Sequence, residues 1–159
     1  MPNIKNALVT GAGGFIGHHL VTQLKRRGYW VRGVDIKKPE FSLVDADQFE
    51  LLDLTVWANC LQATRGVEEV YALAADMGGM GFITTHNAQI IQRNALMNFH
   101  TIEAARVNGV KRIFYSSSAC VYPVYKQLDS QVAPLKEEDV PPAEPEDAYG
   151  WEKLLTELL

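Results

Sequence analysis

The chain has 159 residues, 47% of them hydrophobic and 21% charged, and carries a formal net charge of −4. That is enough sequence for one packed core and too little for two full domains. The acidic balance argues against a nucleic acid or an anionic membrane surface as the main partner. No apolar run approaches the ~20 residues that a membrane span needs. The opening stretch Met1-Pro2-Asn3-Ile4-Lys5-Asn6 lacks the basic and apolar regions of a signal peptide. Cys60 and Cys120 are too few for a disulfide framework, so a globular protein of the reducing cytoplasm is expected.

Short apolar runs alternate with longer stretches of helical period. Ala7-Leu8-Val9 predicts a first strand, broken by Thr10-Gly11. Between Gly14 and Arg27, residues Phe15, Ile16, His19, Leu20 and Leu24 recur at helical spacing, and Gly28 closes the helix. A second strand is expected from Tyr29 to Val34, ending at Asp35, and a short third one over Phe49-Glu50-Leu51-Leu52. Val56 to Thr64 predicts a short helix, and Val70-Tyr71-Ala72-Leu73-Ala74 a fourth strand. Asn87 to Asn108 predicts a long helix stopped by Gly109, before a fifth strand over Arg112 to Ser116.

Strand and helix in alternation indicate a doubly wound parallel α/β sheet of Rossmann type, because parallel neighbours require crossovers. Near-continuous apolar strands fit a sheet covered on both faces. The proline- and acid-rich stretch from Pro123 to Ala148 reads as an irregular excursion, of the kind that often carries function. A last helix begins near Ala148 and is still running at Leu159, with Leu154, Leu155, Leu158 and Leu159 as its apolar stripe. The expectation is therefore one incomplete dinucleotide-binding domain over residues 1–159, with that stripe uncovered and prone to self-association.

Gly11, Gly14 and Gly17 fall in a Gly-x-x-Gly-x-x-Gly turn between the first strand and the first helix. Such glycines serve a tight turn, a close approach of backbone to pyrophosphate, and close helix–sheet packing. The helix start then offers unpaired N–H groups to the phosphates. Asp35 at the end of the second strand suits the ribose hydroxyls, and its charge favours NAD. The following Lys37 and Lys38 keep NADP as the alternative.

Tyr149 and Lys153 lie on one helical face, where an ammonium would lower the phenol towards the working range of a general base. Ser116-Ser117-Ser118 follow the fifth strand, and strand ends are where open α/β sheets build their sites.

Together, the glycine turn, Asp35, the serines and the Tyr-x-x-x-Lys pair resemble the extended short-chain dehydrogenase/reductases. Three further stretches resemble its GDP-mannose 3,5-epimerase branch. They are Leu73-Ala74-Ala75-Asp76-Met77-Gly78-Gly79-Met80-Gly81-Phe82-Ile83, Ser117-Ser118-Ala119-Cys120-Val121-Tyr122-Pro123 and Ala143-Glu144-Pro145-Glu146-Asp147-Ala148-Tyr149-Gly150. The resemblance implies an NAD-dependent isomerase that epimerises a GDP-sugar through a 4-keto intermediate. Tyr149 would be the base at the 4-hydroxyl, Lys153 its support, Ser118 the hydrogen-bond partner of the 4-oxygen, and Cys120 a proton carrier for C3 and C5. Cofactor contacts would come from Gly11, Gly14, Phe15, Ile16, Gly17, Asp35, Asp53, Leu54, Leu73, Ala75, Tyr149 and Lys153. Gly78, Ser118, Ala119 and Cys120 would face the sugar.

The same resemblance implies a homodimer for the full-length relative, and a second acid/base lysine well beyond Lys153. Cys120 separates this branch from simple 4-epimerases, which usually have threonine there, and from 4,6-dehydratases, which have an Asp-Glu pair. A buried structural cysteine is the plain alternative for it. His18 and His19 read as surface or packing residues. His86 and His100 have no cysteine or acidic partner at ligand spacing, so no metal site is expected. Two other readings stay open: another NAD-dependent nucleotide-sugar 4-epimerase, and a catalytically silent dinucleotide-binding fragment.

Overall fold

The computed structural model describes residues 5–39, 42–128, 134–140 and 142–159. The opening Met1–Ile4 and parts of the predicted excursion, residues 129–133 and 141, lie outside the described residues. Strands β1 (Asn6–Thr10), β2 (Trp30–Asp35), β3 (Gln48–Leu51), β4 (Glu69–Ala72) and β5 (Arg112–Tyr115) form one sheet in the order β3-β2-β1-β4-β5. Every neighbouring pair is parallel. The chain reverses direction across the sheet between β1 and β4, the switch point at which open α/β sheets take their ligands.

Helices are α1 (Phe15–Arg26), α2 (Trp57–Thr64), α3 (Met80–Thr85), α4 (Asn87–Val107) and α5 (Ala148–Glu157). Alternation along the strands feeds two apolar layers. Leu8, Val34 and Val70 meet Cys60 and Ala63 of α2 and Met97, Ala104 and Ala105 of α4. Ala7, Val9 and Val31 meet Val21 and Leu24 of α1 on the other face. The predicted stop of α1 forms as expected: Gly28, at φ 80, donates its N–H to the Lys25 carbonyl, and Tyr29 donates to that of Leu24. Within the core, burial pushes the Cys60 thiol up to about 11, and its Sγ donates to the Leu54 carbonyl at 3.1 Å.

Two elements differ from the sequence expectation. β4 ends at Ala72, because the N–H groups of Leu73 and Ala74 turn instead to the buried Thr10 Oγ1, at 3.0 Å each. Met80–Thr85, to which the sequence reading gave no element, forms the short helix α3. Compact packing divides the chain into two units, Met1–Ala75 with Leu96–Ser116, and Asp76–Ala95 with Ser117–Leu159. The first holds the whole sheet and both apolar layers. In the second, 3-10 turns at Ala119–Val121, Val124–Lys126 and Glu137–Asp139 interrupt the excursion, and Lys126 pairs with Asp139 across it. No helix among the described residues is long and apolar enough to cross a membrane.

Candidate active site: a glycine turn and a Ser-Cys-Tyr-Lys centre

In the sheet unit, Gly11 sits at φ 68, where an added Cβ would also meet the Ala74 backbone nitrogen at 3.0 Å. A Cβ on Gly17 would lie 2.2 Å from the Gly11 carbonyl oxygen, so α1 docks directly on the turn. By contrast, a Cβ on Gly14 would meet only the Gly11 carbonyl, at 3.3 Å, leaving the start of α1 open. No side chain caps that start and its first turn holds no acid. Its backbone donors and dipole therefore face outward in the way that suits a pyrophosphate. Phe15 and Ile16 are exposed beside it.

Asp35 is tied to the same turn. Its Oδ2 accepts from the Gly13 N–H at 2.9 Å and its Oδ1 from the Lys37 N–H at 3.2 Å. One lone pair remains on each oxygen for ribose hydroxyls. The sequence reading passed over Gly13, yet a Cβ there would meet the Lys37 carbonyl at 2.5 Å and the Asp35 carboxylate at 3.0 Å. Its signal was the doubled glycine inside the motif. Open donors, a free approach at Gly14 and a pre-aimed carboxylate fit a dinucleotide.

The remaining predicted cofactor residues of this unit are more mixed. Asp53 Oδ1 accepts from the Thr55 N–H at 2.9 Å and hydroxyl at 2.7 Å, a turn that starts α2. Leu54 is buried in the apolar layer, which leaves its backbone rather than its side chain for any ligand. Leu73 is half-buried against the α1 face of the sheet, and Ala75 is exposed.

The second unit gathers the residues predicted for acid–base work. Ser118 Oγ accepts from the Cys120 N–H at 3.2 Å and thereby starts the 3-10 turn Ala119–Val121. Asp147 caps α5 by accepting from the Gly150 N–H at 2.8 Å. A Cβ on Gly150 would fall 2.3 Å from the Cys120 carbonyl oxygen and 2.8 Å from Pro145 Cβ. The glycine after Tyr149 is thus what allows α5 to seat on the Ser118–Cys120 turn. Ser118 is half-buried, while Ala119 and Cys120 are exposed.

Lys153 Nζ lies 5.6 Å from the centroid of the Tyr149 ring, on the shared helical face that the spacing predicts. The electrostatics differ from the expectation. Burial raises the Tyr149 phenol above its usual value and outweighs the hydrogen bond with Ser118 that pulls it down. Burial likewise lowers Lys153. Desolvation of the phenol itself, rather than the ammonium's charge, sets its direction.

The segment before α3 carries the predicted substrate residue. Gly78 is exposed, and a Cβ on it would lie 2.7 Å from Phe82 Cβ, so packing alone already requires glycine there. Among the described residues no group of three or more His, Cys, Asp or Glu could hold a metal ion.

Comparison with known proteins agrees with this geometry. The profile of the NAD dependent epimerase/dehydratase family matches residues 7–159. The chain is 54% identical over 153 residues to GDP-mannose 3,5-epimerase of Arabidopsis thaliana, covering 95% of this chain and 41% of the relative. Among solved structures, UDP-glucose 4-epimerase of Thermotoga maritima with UDP-glucose superposes with TM-score 0.80 at 26% identity, over 96% of this chain and 49% of that one. A short-chain dehydrogenase/reductase superfamily protein of Agrobacterium tumefaciens with bound NAD gives TM-score 0.79 at 27% identity, over 96% and 43%. The chain spans about two fifths of the length of the GDP-mannose 3,5-epimerases that it matches. With the family profile running over residues 7–159, the chain belongs to the NAD dependent epimerase/dehydratase family.

Proposed function

We propose that the chain supplies the cofactor-binding and acid–base part of a nucleotide-sugar epimerase acting on GDP-mannose at C3 and C5. The glycine turn and Asp35 hold NAD, which when bound supplies reversible oxidation at C4 of the sugar. Tyr149 takes the proton of the 4-hydroxyl, and Ser118 hydrogen-bonds the same oxygen as negative charge develops on it. The 4-ketone then acidifies the hydrogens at C3 and C5. Cys120, exposed at the turn that α5 seats upon, carries protons to and from those carbons. Lys153 bears on the phenol from the next helical turn. The Gly78–Gly81 segment faces the sugar.

The observation that supports this reading most is the fit of Gly150 on the Cys120 carbonyl, which seats α5 on the Ser118–Cys120 turn. A thiol is a poor choice for a structural turn and a good one for proton transfer beside a carbonyl carbon. The 54% identity to the Arabidopsis enzyme favours GDP-mannose over other nucleotide sugars.

The test is incubation of the chain with NAD and GDP-mannose in deuterated water. Deuterium at C3 and C5 is the expected result, and Cys120→Ser abolishes it while NAD binding persists. Exchange that survives Cys120→Ser sinks the role given to the thiol. A C4 epimer formed without deuterium uptake replaces the reading by a 4-epimerase, and NAD binding with neither epimer nor exchange leaves a silent dinucleotide-binding fragment.

A further inference from the structure

Asp76 opens the segment Met77-Gly78-Gly79-Met80-Gly81, and three side chains of α4 grip it. Asn94, fully buried, takes the Asp76 backbone at both ends. Its Oδ1 accepts from the Asp76 N–H at 2.6 Å, and its Nδ2 donates to the Asp76 carbonyl at 3.3 Å. The carboxylate is held separately. Oδ2 accepts from Gln89 Nε2 at 3.0 Å and forms an ion pair with Arg93, whose Nε stands 3.1 Å away. Gln89 and Arg93 stand one turn apart on α4 and so reach the same oxygen from one helical face.

At its far end the segment is equally constrained. Phe82 donates its N–H to the Gly79 carbonyl at 2.8 Å and lies against Gly78. His86 stacks on the Phe82 ring at 4.3 Å, and Thr85 Oγ1 donates to the Gly81 carbonyl at 2.6 Å. Between the two anchors, Met77, Gly78 and Gly79 are exposed. The Asp76–Arg93 pair is only partly buried, its side chains 25% and 35% exposed, so it contributes little to global stability. What the pair does fix is the direction in which the chain leaves Asp76. With its backbone held by Asn94 alone, Asp76 keeps its place, while its carboxylate and the next peptide swing.

We propose that Arg93, assisted by Gln89, is a positioning residue: through the Asp76 carboxylate it sets the Gly78–Gly81 segment in the orientation that receives the sugar. The inference rests on the reading above that this segment faces the substrate. Arg93 touches no substrate in this scheme. Its effect passes through Asp76, and substrate binding carries the loss while the chemical step does not.

The test uses Arg93→Gln, Asp76→Asn and the double substitution, with Arg93→Lys as the conservative variant. Amide hydrogen exchange over residues 76–82 is read first, in the chain without substrate. Each single change speeds exchange there and leaves the sheet peptides and NAD affinity as they were. With GDP-mannose, KM rises about tenfold in each single variant and kcat holds within about twofold. The double variant is no worse than the worse single one, because both remove one link. Arg93→Lys, which keeps the charge, recovers most of the loss.

Unchanged exchange over 76–82 overturns the proposal whatever the kinetics. So do additive effects on KM, which would put Arg93 on the substrate itself, and a parallel loss of NAD affinity, which would mark general loosening. If the unaltered chain binds NAD and never turns over GDP-mannose, the functional reading fails and exchange alone decides the clamp: faster exchange sustains it and unchanged exchange overturns it.

Discussion

The two units of this chain obey opposite rules of burial. In the sheet unit, Leu8, Val9, Val31 and Val34 are fully buried, and glycines make the turn. In the other unit, α5 turns its polar residues inward. Glu152, Lys153 and Thr156 are 1%, 2% and 2% exposed, whereas Trp151 and Leu158 stand 47% and 78% exposed. Thr156 Oγ1 donates to the Glu152 carbonyl and carboxylate at 3.0 Å each, which helps such a face to be buried. Burial of charged groups breaks the local rules of stability, as functional sites often do, in keeping with the acid–base role proposed for this helix.

This contrast predicts that comparable glycine substitutions fail in different ways. Gly17→Ala drives a methyl into the Gly11 carbonyl, for which there is no flexible neighbour to yield. A loss of about 3 kcal/mol in denaturant unfolding and the disappearance of NAD binding are expected together. Gly150→Ala makes a nearly equal clash, at 2.3 Å, but lifts α5 from the Ser118–Cys120 turn. It should cost about 2 kcal/mol, remove turnover and weaken NAD binding by titration far less than Gly17→Ala does. Loss of NAD binding in the Gly150 variant would mean that the two units do not divide the work.

Ser118→Ala has the smallest expected effect and the most specific one. The serine hydrogen bond lowers the Tyr149 phenol, so its removal raises it further. Activity that needs phenolate rises through that ionisation as pH increases. The rising limb of kcat/KM therefore moves to higher pH in the variant, and turnover at neutral pH drops about tenfold. A limb that stays in place would exclude Tyr149 as the group titrating there.

Much of the sheet unit was legible because its constraints are local. Gly11, Gly17 and Asp35 lie within one strand–turn–helix–strand passage, and spacing alone states their geometry. The end of β4 was not legible, since it depends on a hydroxyl at Thr10 reaching Leu73 and Ala74 from far along the chain. Helix α3 was hidden by Gly79 and Gly81, whose propensity points to loop. In α5, periodicity correctly placed Leu155, Leu158 and Leu159 on an uncovered stripe, with Leu154 half-buried. It said nothing of the buried polar face or of the burial of Tyr149 itself, and that burial moves the phenol up rather than down. Spacing finds which side chains share a face, and burial decides what that sharing does.

The unequal setting of the two thiols makes the molecule a selective chemical target. Cys60 is enclosed and held as a thiol, up at about 11, whereas Cys120 is exposed. A maleimide offered at pH about 8 reaches the second and spares the first. One dye per chain would then sit in the Ser118–Cys120 turn, reporting on whatever approaches it, with no engineered cysteine needed.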